Sequence, residues 1–77
     1  MTTPDQILVD LLSGQSTADA LAERIRVPML AIKAMCRRHE IDGLVTSKPI
    51  KDDLIAWRIT DAGRDVAAAL QQNLQPA

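Results

Sequence analysis

Leu44-Val45-Thr46-Ser47-Lys48-Pro49-Ile50-Lys51-Asp52-Asp53-Leu54-Ile55-Ala56-Trp57-Arg58-Ile59 is the stretch in which the apolar pattern of the chain leaves the helical period. Residues 44–47 and 54–59 are rich in β-branched side chains with some alternation, and the polar run 48–53 between them reads as a turn. A β-hairpin over about 44–59 is therefore expected. Side chains two apart share a strand face, which puts Ile55, Trp57 and Ile59 on its inner face. Everything on either side of the hairpin reads as helix, so the fold class is mostly α with one small hairpin.

Just before it, Asp42-Gly43 ends a helix that Pro28 starts. Proline lacks an N–H and clashes with the preceding turn, so a helix accepts it only at its beginning, and this one should run over about 28–41. Arg26-Val27-Pro28 in turn breaks a shorter helix, about 17–25, which opens on the cap signal Ser16-Thr17-Ala18-Asp19 and carries Ala20, Leu21, Ala22 and Ile25 as its buried stripe. The first helix, about 4–13, opens on Thr3-Pro4-Asp5-Gln6, with Thr3 as N-cap, Pro4 at the first helical position and Gln6 completing a capping box. Ile7, Leu8, Leu11 and Leu12 then recur at helical spacing, and Gly14 suits the left-handed position that closes such a helix. Beyond the hairpin, Thr60-Asp61 caps a last helix, about 61–74, with an acidic first turn that suits the helix dipole and with Ala62, Val66, Ala69 and Leu70 as its apolar side. Gln75-Pro76-Ala77 reads as a frayed end.

Seventy-seven residues give room for one small domain, 1–77. With 47% hydrophobic and 25% charged residues and a mean hydropathy of −0.02, the composition is that of a folded chain. No apolar run is long enough to span a bilayer, and Met1-Thr2-Thr3-Pro4-Asp5 has no basic, then apolar, leader, which predicts a cytoplasmic protein without membrane contact. The single cysteine, Cys36, excludes an internal disulfide and a cysteine-based zinc site.

The net charge of −1 hides an asymmetry. Between residues 24 and 51 stand seven basic residues, Arg24, Arg26, Lys33, Arg37, Arg38, Lys48 and Lys51, against only Glu40 and Asp42. Outside that window Arg58 and Arg64 face eight carboxylates. A chain polarised in this way has one face suited to phosphate, or else two solvated faces of opposite charge.

The order helix, helix, helix, hairpin, helix resembles the winged helix-turn-helix domain, and three segments carry the resemblance. Leu21-Ala22-Glu23-Arg24-Ile25-Arg26-Val27-Pro28 is similar to the second helix and turn of a bacterial helix-turn-helix. Asp42-Gly43-Leu44-Val45 looks like the junction from recognition helix to wing, and Trp57-Arg58-Ile59-Thr60-Asp61-Ala62-Gly63-Arg64 is similar to the return strand and helix start of MarR-type repressors. The likeness spans about residues 5–74 and is to the winged-helix core, without the extra dimerising helices of the MarR type. Two positions depart from the pattern: Arg26 stands where the turn usually has glycine, and His39 where the third helix commonly buries a leucine. The resemblance implies a bacterial or phage transcriptional regulator that binds double-stranded DNA through its third helix and wing. It carries over no ligand sensing.

Successive residues of the third helix turn by 100°, which places Ile32, Met35, Cys36 and His39 inward and Leu30, Lys33, Ala34, Arg37 and Arg38 outward. As a recognition helix it would offer Arg37 or Lys33 to guanine O6 and N7, and Leu30 or Ala34 to a thymine methyl. On the wing, Lys48 and Lys51 would fix position on phosphate while Asp52 and Asp53 repel it. Ser16 and Thr17 at the start of the second helix offer hydroxyls and amides to a phosphate, although capping already explains them. A solvated basic face and a polar turn are the plainer readings of the same residues.

Cys36 and His39 share a helical face, but neither a third orienting group nor further ligands accompany them. The chain is therefore read as no enzyme, with no metal, cofactor or small-molecule ligand, and the pair as core packed against the hairpin or at a subunit boundary. Trp57, the sole aromatic, is read as core, which disfavours single-strand binding by stacking. Val66, Ala69 and Leu70 of the last helix are the expected homodimer contact, alongside packing on the first helix. A second function class also fits the acidic total, the acidic wing pair, Arg26 and an exposed Leu30: a winged-helix module that binds protein and not DNA.

Overall fold

The elements of the computed structural model, which describes residues 1–74, run α1 (Thr3–Leu11), β1 (Ser16–Thr17), α2 (Ala18–Ile25), α3 (Met29–Ile41), β2 (Val45–Lys51), β3 (Leu54–Ile59) and α4 (Asp61–Leu74). The end expected to fray at Gln75-Pro76-Ala77 lies outside the described residues. No helix among the described residues is long and apolar enough to cross a membrane.

The N-cap of α1 is Thr2 and not Thr3: Thr2 Oγ1 accepts the Asp5 N–H at 3.4 Å. Proline has no N–H to lose anywhere in a first turn, so Pro4 is tolerated one place deeper and the pattern alone does not choose between the two threonines. The helix stops at Leu11, two residues short of the expected end. There the N–H groups of Leu12, Ser13 and Gly14 donate to the carbonyls of Val9, Asp10 and Leu11, three residues back, at 3.1 to 3.2 Å, tightening the last turn. Gly14 then takes φ +140°, which only glycine adopts readily.

Thr17 Oγ1 caps α2 by accepting the Ala20 N–H at 3.2 Å. The inward stripe of α2 is Ala18, Leu21, Ala22 and Ile25, so Ala18 takes the place expected for Ala20. The helix ends on Arg26 in the left-handed conformation, φ 65° and ψ 47°, with its N–H donating to the Ala22 carbonyl at 2.8 Å. Pro28 is the N-cap of α3. That helix closes with paired bonds, Gly43 N–H to the Glu40 carbonyl at 3.0 Å and Leu44 N–H to the His39 carbonyl at 2.9 Å, with Gly43 at φ 78°, a Schellman closure that turns the chain into the wing.

The sheet is antiparallel in the order β1-β3-β2. Strand β1 is a finding beyond the sequence pattern: two residues pair Ser16 with Trp57 and Thr17 with Ala56, too short a segment to show a period. Strand β2 continues to Lys51, so the turn shrinks from 48–53 to Asp52-Asp53. Pro49 is tolerated because β2 is an edge strand, and the register shifts between Pro49 and Lys51.

The core gathers Ile7, Leu8 and Leu11 from α1, Leu21 from α2, Ile32 and Cys36 from α3, Val45 and Trp57 from the sheet and Ala67 from α4. Ile55 departs from the expected inner face: it is 39% exposed, while Trp57 is buried and Ile59 half-buried. Ile55 pairs with Pro49 near the wing tip, beyond the body of the core. The apolar side of α4 also turns out differently, because Gly63 and Ala67 face inward with Leu70 half-buried, leaving Ala62, Val66 and Ala69 exposed. Gly63 decides this. A Cβ on it would fall on the Leu44 carbonyl oxygen and lie 2.7 Å from Ile59 Cγ1, so only the bare face of α4 can approach the wing's root. Thr60 holds the two together, its hydroxyl donating to the Gly43 carbonyl at 2.7 Å and accepting the Gly63 N–H at 3.0 Å.

Candidate nucleic-acid interface

The inner side of α3 is anchored by Ile32, Cys36 and His39, all buried. That anchoring turns Leu30, Lys33, Ala34, Arg37 and Arg38 to solvent together, with Leu30 78% exposed. Leu30 therefore contributes little to the core and is free for a partner. Arg38 Nε lies 3.5 Å from Asp42 Oδ2, a one-turn pair on the surface that a stronger anion can displace. Lys33 and Arg37 form no salt bridge among the described residues. Lys48 and Lys51 are exposed on β2.

The sequence window of seven basic residues does not survive folding as one patch. Arg24 grips Asp10 of α1 with both ends of its fork, Nη2 donating to Oδ1 at 2.7 Å and Nε to Oδ2 at 3.0 Å and Oδ1 at 3.1 Å, and its Nη2 also donates to Ser16 Oγ at 2.6 Å. Hydrogen bonding to the Asp10 carboxylate raises the Arg24 pKa further above its ordinary value. Arg24 thus ties α2 to α1, and although it stays half-exposed its charge is matched by Asp10. Thr17 is half-buried with its hydroxyl engaged in capping, and Ser16 serves Arg24.

Between the start of α2, the outer side of α3 and the wing tip lies a concavity of about 480 Å³. Met29, Leu54, Ile55 and Trp57 provide its apolar lining, and Thr17 borders it. Three cations, Lys33, Arg37 and Lys51, face it together with three carboxylates, Asp19, Asp52 and Asp53. Its lining is therefore neutral overall, a property that charge counted along the chain conceals. Arg38 and Lys48 lie outside it. Asp19 read only as a cap residue in sequence, and nothing local marks it as a neighbour of a turn more than thirty residues away.

His39 is tied to α1: its ring Nε2 lies 2.9 Å from the Pro4 carbonyl oxygen. A carbonyl can only accept, so Nε2 carries the proton and donates. Nδ1 is buried with no partner among the described residues. Burial pushes the Cys36 thiol up to about 11, which keeps it un-ionised and a poor nucleophile. Among the described residues no three of His, Cys, Asp and Glu come together in a way that could hold a metal ion. On α4, Val66 and Ala69 are exposed and Leu70 half-buried.

No protein-family model matches the chain, and no curated protein does. Solved structures do. The adhesin competence repressor AdcR of Streptococcus pyogenes superposes with a TM-score of 0.88 at 13% identity, over 95% of this chain and 56% of that one. ZitR of Lactococcus lactis, described as a zinc-responsive MarR family member, superposes with a TM-score of 0.80 at 23% identity, over 95% of this chain and 54% of that one. A ZitR cysteine-to-serine variant in complex with DNA gives 0.83 at 22% identity, over 94% and 51%. The chain thus spans about half the length of the structures it matches. Its fold is the winged helix of these MarR-type structures, with β2-β3 as the wing.

Proposed function

We propose that this winged helix binds double-stranded DNA as a cytoplasmic transcriptional regulator of a bacterium or phage, and that it is no enzyme. The observation that carries the reading is the outer side of α3. There Lys33 and Arg37, without salt bridges among the described residues, stand exposed beside Leu30 and Ala34. In a major groove, Arg37 and Lys33 donate to guanine O6 and N7 while Leu30 and Ala34 meet thymine methyls. Arg38, Lys48 and Lys51 fix the register on phosphates, with Thr17 at the start of α2 beside the backbone. The exposed Val66 and Ala69, with Leu70 at their border, form the contact with a second copy. The DNA complex of ZitR supports the mode of binding by likeness of fold.

The test is fluorescence anisotropy of a labelled random-sequence duplex between about 50 and 200 mM salt, a range in which phosphate-driven affinity falls steeply. Binding that collapses with salt and weakens when Lys33, Arg37 and Arg38 are replaced by alanine is the expected result. Absence of binding at low salt overturns it.

One observation favours a second reading, a winged-helix module that binds protein and not DNA. The concavity beside α3 is neutral and apolar in part, and Leu30 of the same helix stands 78% exposed. An apolar protein contact would change little with salt, which separates the two readings in the same titration.

A further inference from the structure

Asp52 and Asp53 are the whole of the wing turn, and both are exposed. A two-residue turn needs a short polar side chain there, and asparagine meets that need as well as aspartate. The two negative charges are thus unexplained by folding. Neither they nor Asp19 enters a salt bridge among the described residues. All three line the concavity that Lys33, Arg37 and Lys51 also line. When a recognition helix lies in a major groove, the elements flanking it meet the phosphates along the groove's edges. Carboxylates that share a concavity with Lys33 and Arg37 lie near any phosphate those cations draw in, and at about 0.1 M salt a charge is felt over roughly 10 Å, so they repel without contact.

We infer that Asp19, Asp52 and Asp53 are an electrostatic filter on the candidate DNA site, an inference that rests on the DNA reading above. Phosphate attraction is the same for every sequence, and the carboxylates lower it for every duplex alike. A duplex that offers nothing but phosphate is then released at working salt. One that also offers base edges to Arg37 and Lys33 is retained. The filter sets the threshold that base contacts must exceed, and it does so with groups that never touch a base.

The test compares the wild-type chain with Asp52→Asn/Asp53→Asn and Asp52→Glu/Asp53→Glu, each shown to be folded by circular dichroism, on the random-sequence duplex. Removing two opposing charges is expected to raise affinity at 50 mM salt by about tenfold and to steepen the salt dependence, while the glutamate pair keeps wild-type affinity. Equal or weaker binding by the asparagine pair overturns the filter and leaves the DNA reading standing. So does a rise in both variants, which would trace the effect to turn shape and not to charge. If the wild-type chain binds no duplex at low salt, whatever the variants do, the DNA reading fails and the filter with it.

Discussion

His39 Nε2–H donates to the Pro4 carbonyl oxygen across 2.9 Å, and this bond fastens the back of α3 to the first turn of α1. Pro4 lies in the opening turn of its helix, so its carbonyl stays close to the end of α3 while the outer side of α3 remains clear. Replacing His39 by alanine removes the bond and leaves a void beside Cys36. Loss of about 1–3 kcal/mol of stability in denaturant unfolding is expected. Unchanged stability would mean that the bond contributes nothing to holding α3.

Arg26 sits at φ 65° and ψ 47°, a region that costs a residue with a side chain about 1–2 kcal/mol and costs glycine nothing sterically. Glycine loses part of that gain by being freer when unfolded. Arg26→Gly is therefore expected to stabilise the chain by about 0.5–1 kcal/mol, read as a higher denaturation midpoint at an unchanged slope. A lower midpoint would place the role of Arg26 in contacts and not in its backbone.

Gly63→Ala places a methyl group against the Leu44 carbonyl and 2.7 Å from Ile59 Cγ1. The obstacle is backbone at the root of the wing and has no rotamer to escape into. Destabilisation of about 3 kcal/mol or more is expected, seen as early loss of the Trp57 fluorescence transition on heating. Ala62→Gly, on the exposed side of the same helix, should cost no more than about 1 kcal/mol.

Cys36 is fully buried, and burial raises its thiol from 9.0 to about 11. In this interval the folded chain holds a proton that the unfolded chain has released. Stability is therefore complete below pH 9 and declines as the pH rises towards 11. Cys36→Ala should flatten that decline while lowering stability at neutral pH. Native protein should react with a thiol reagent at pH 8 only as fast as it opens, and fast labelling would show Cys36 to be accessible.

Arg37→Ala should weaken duplex binding by about 1–3 kcal/mol if Arg37 reads a base, whereas Lys48→Ala should weaken all duplexes alike and lower the salt slope by about 1. The two variants separate base reading from phosphate positioning in one titration. Equal losses on every sequence from Arg37→Ala would reassign it to the backbone.

The helices, the wing and the outward side of α3 were legible because each rests on a local rule. Pro28 can only begin a helix, Gly43 can end one, and the 100° step sends Lys33 and Arg37 opposite to Ile32 and Cys36. Where a rule had two neighbouring solutions, Thr2 or Thr3 as cap and Ala18 or Ala20 in the stripe, the pattern alone chose the wrong one. Strand β1 was invisible because two residues have no period. The inner side of α4 was misread because apolar spacing favoured Val66 and Ala69, while the decisive residue was Gly63, whose lack of a side chain has no hydropathy to count.

Element order, the place of the turns and the burial of one face of α3 follow from interactions between residues a few positions apart, and the sequence by itself determined them. Which charges share a surface did not. Arg24 left the basic window for Asp10, and Asp19 came to face the same concavity as Asp52 and Asp53. Coulomb interactions act through space and not along the chain, so the neutral concavity beside α3 exists only once the helices and wing have packed.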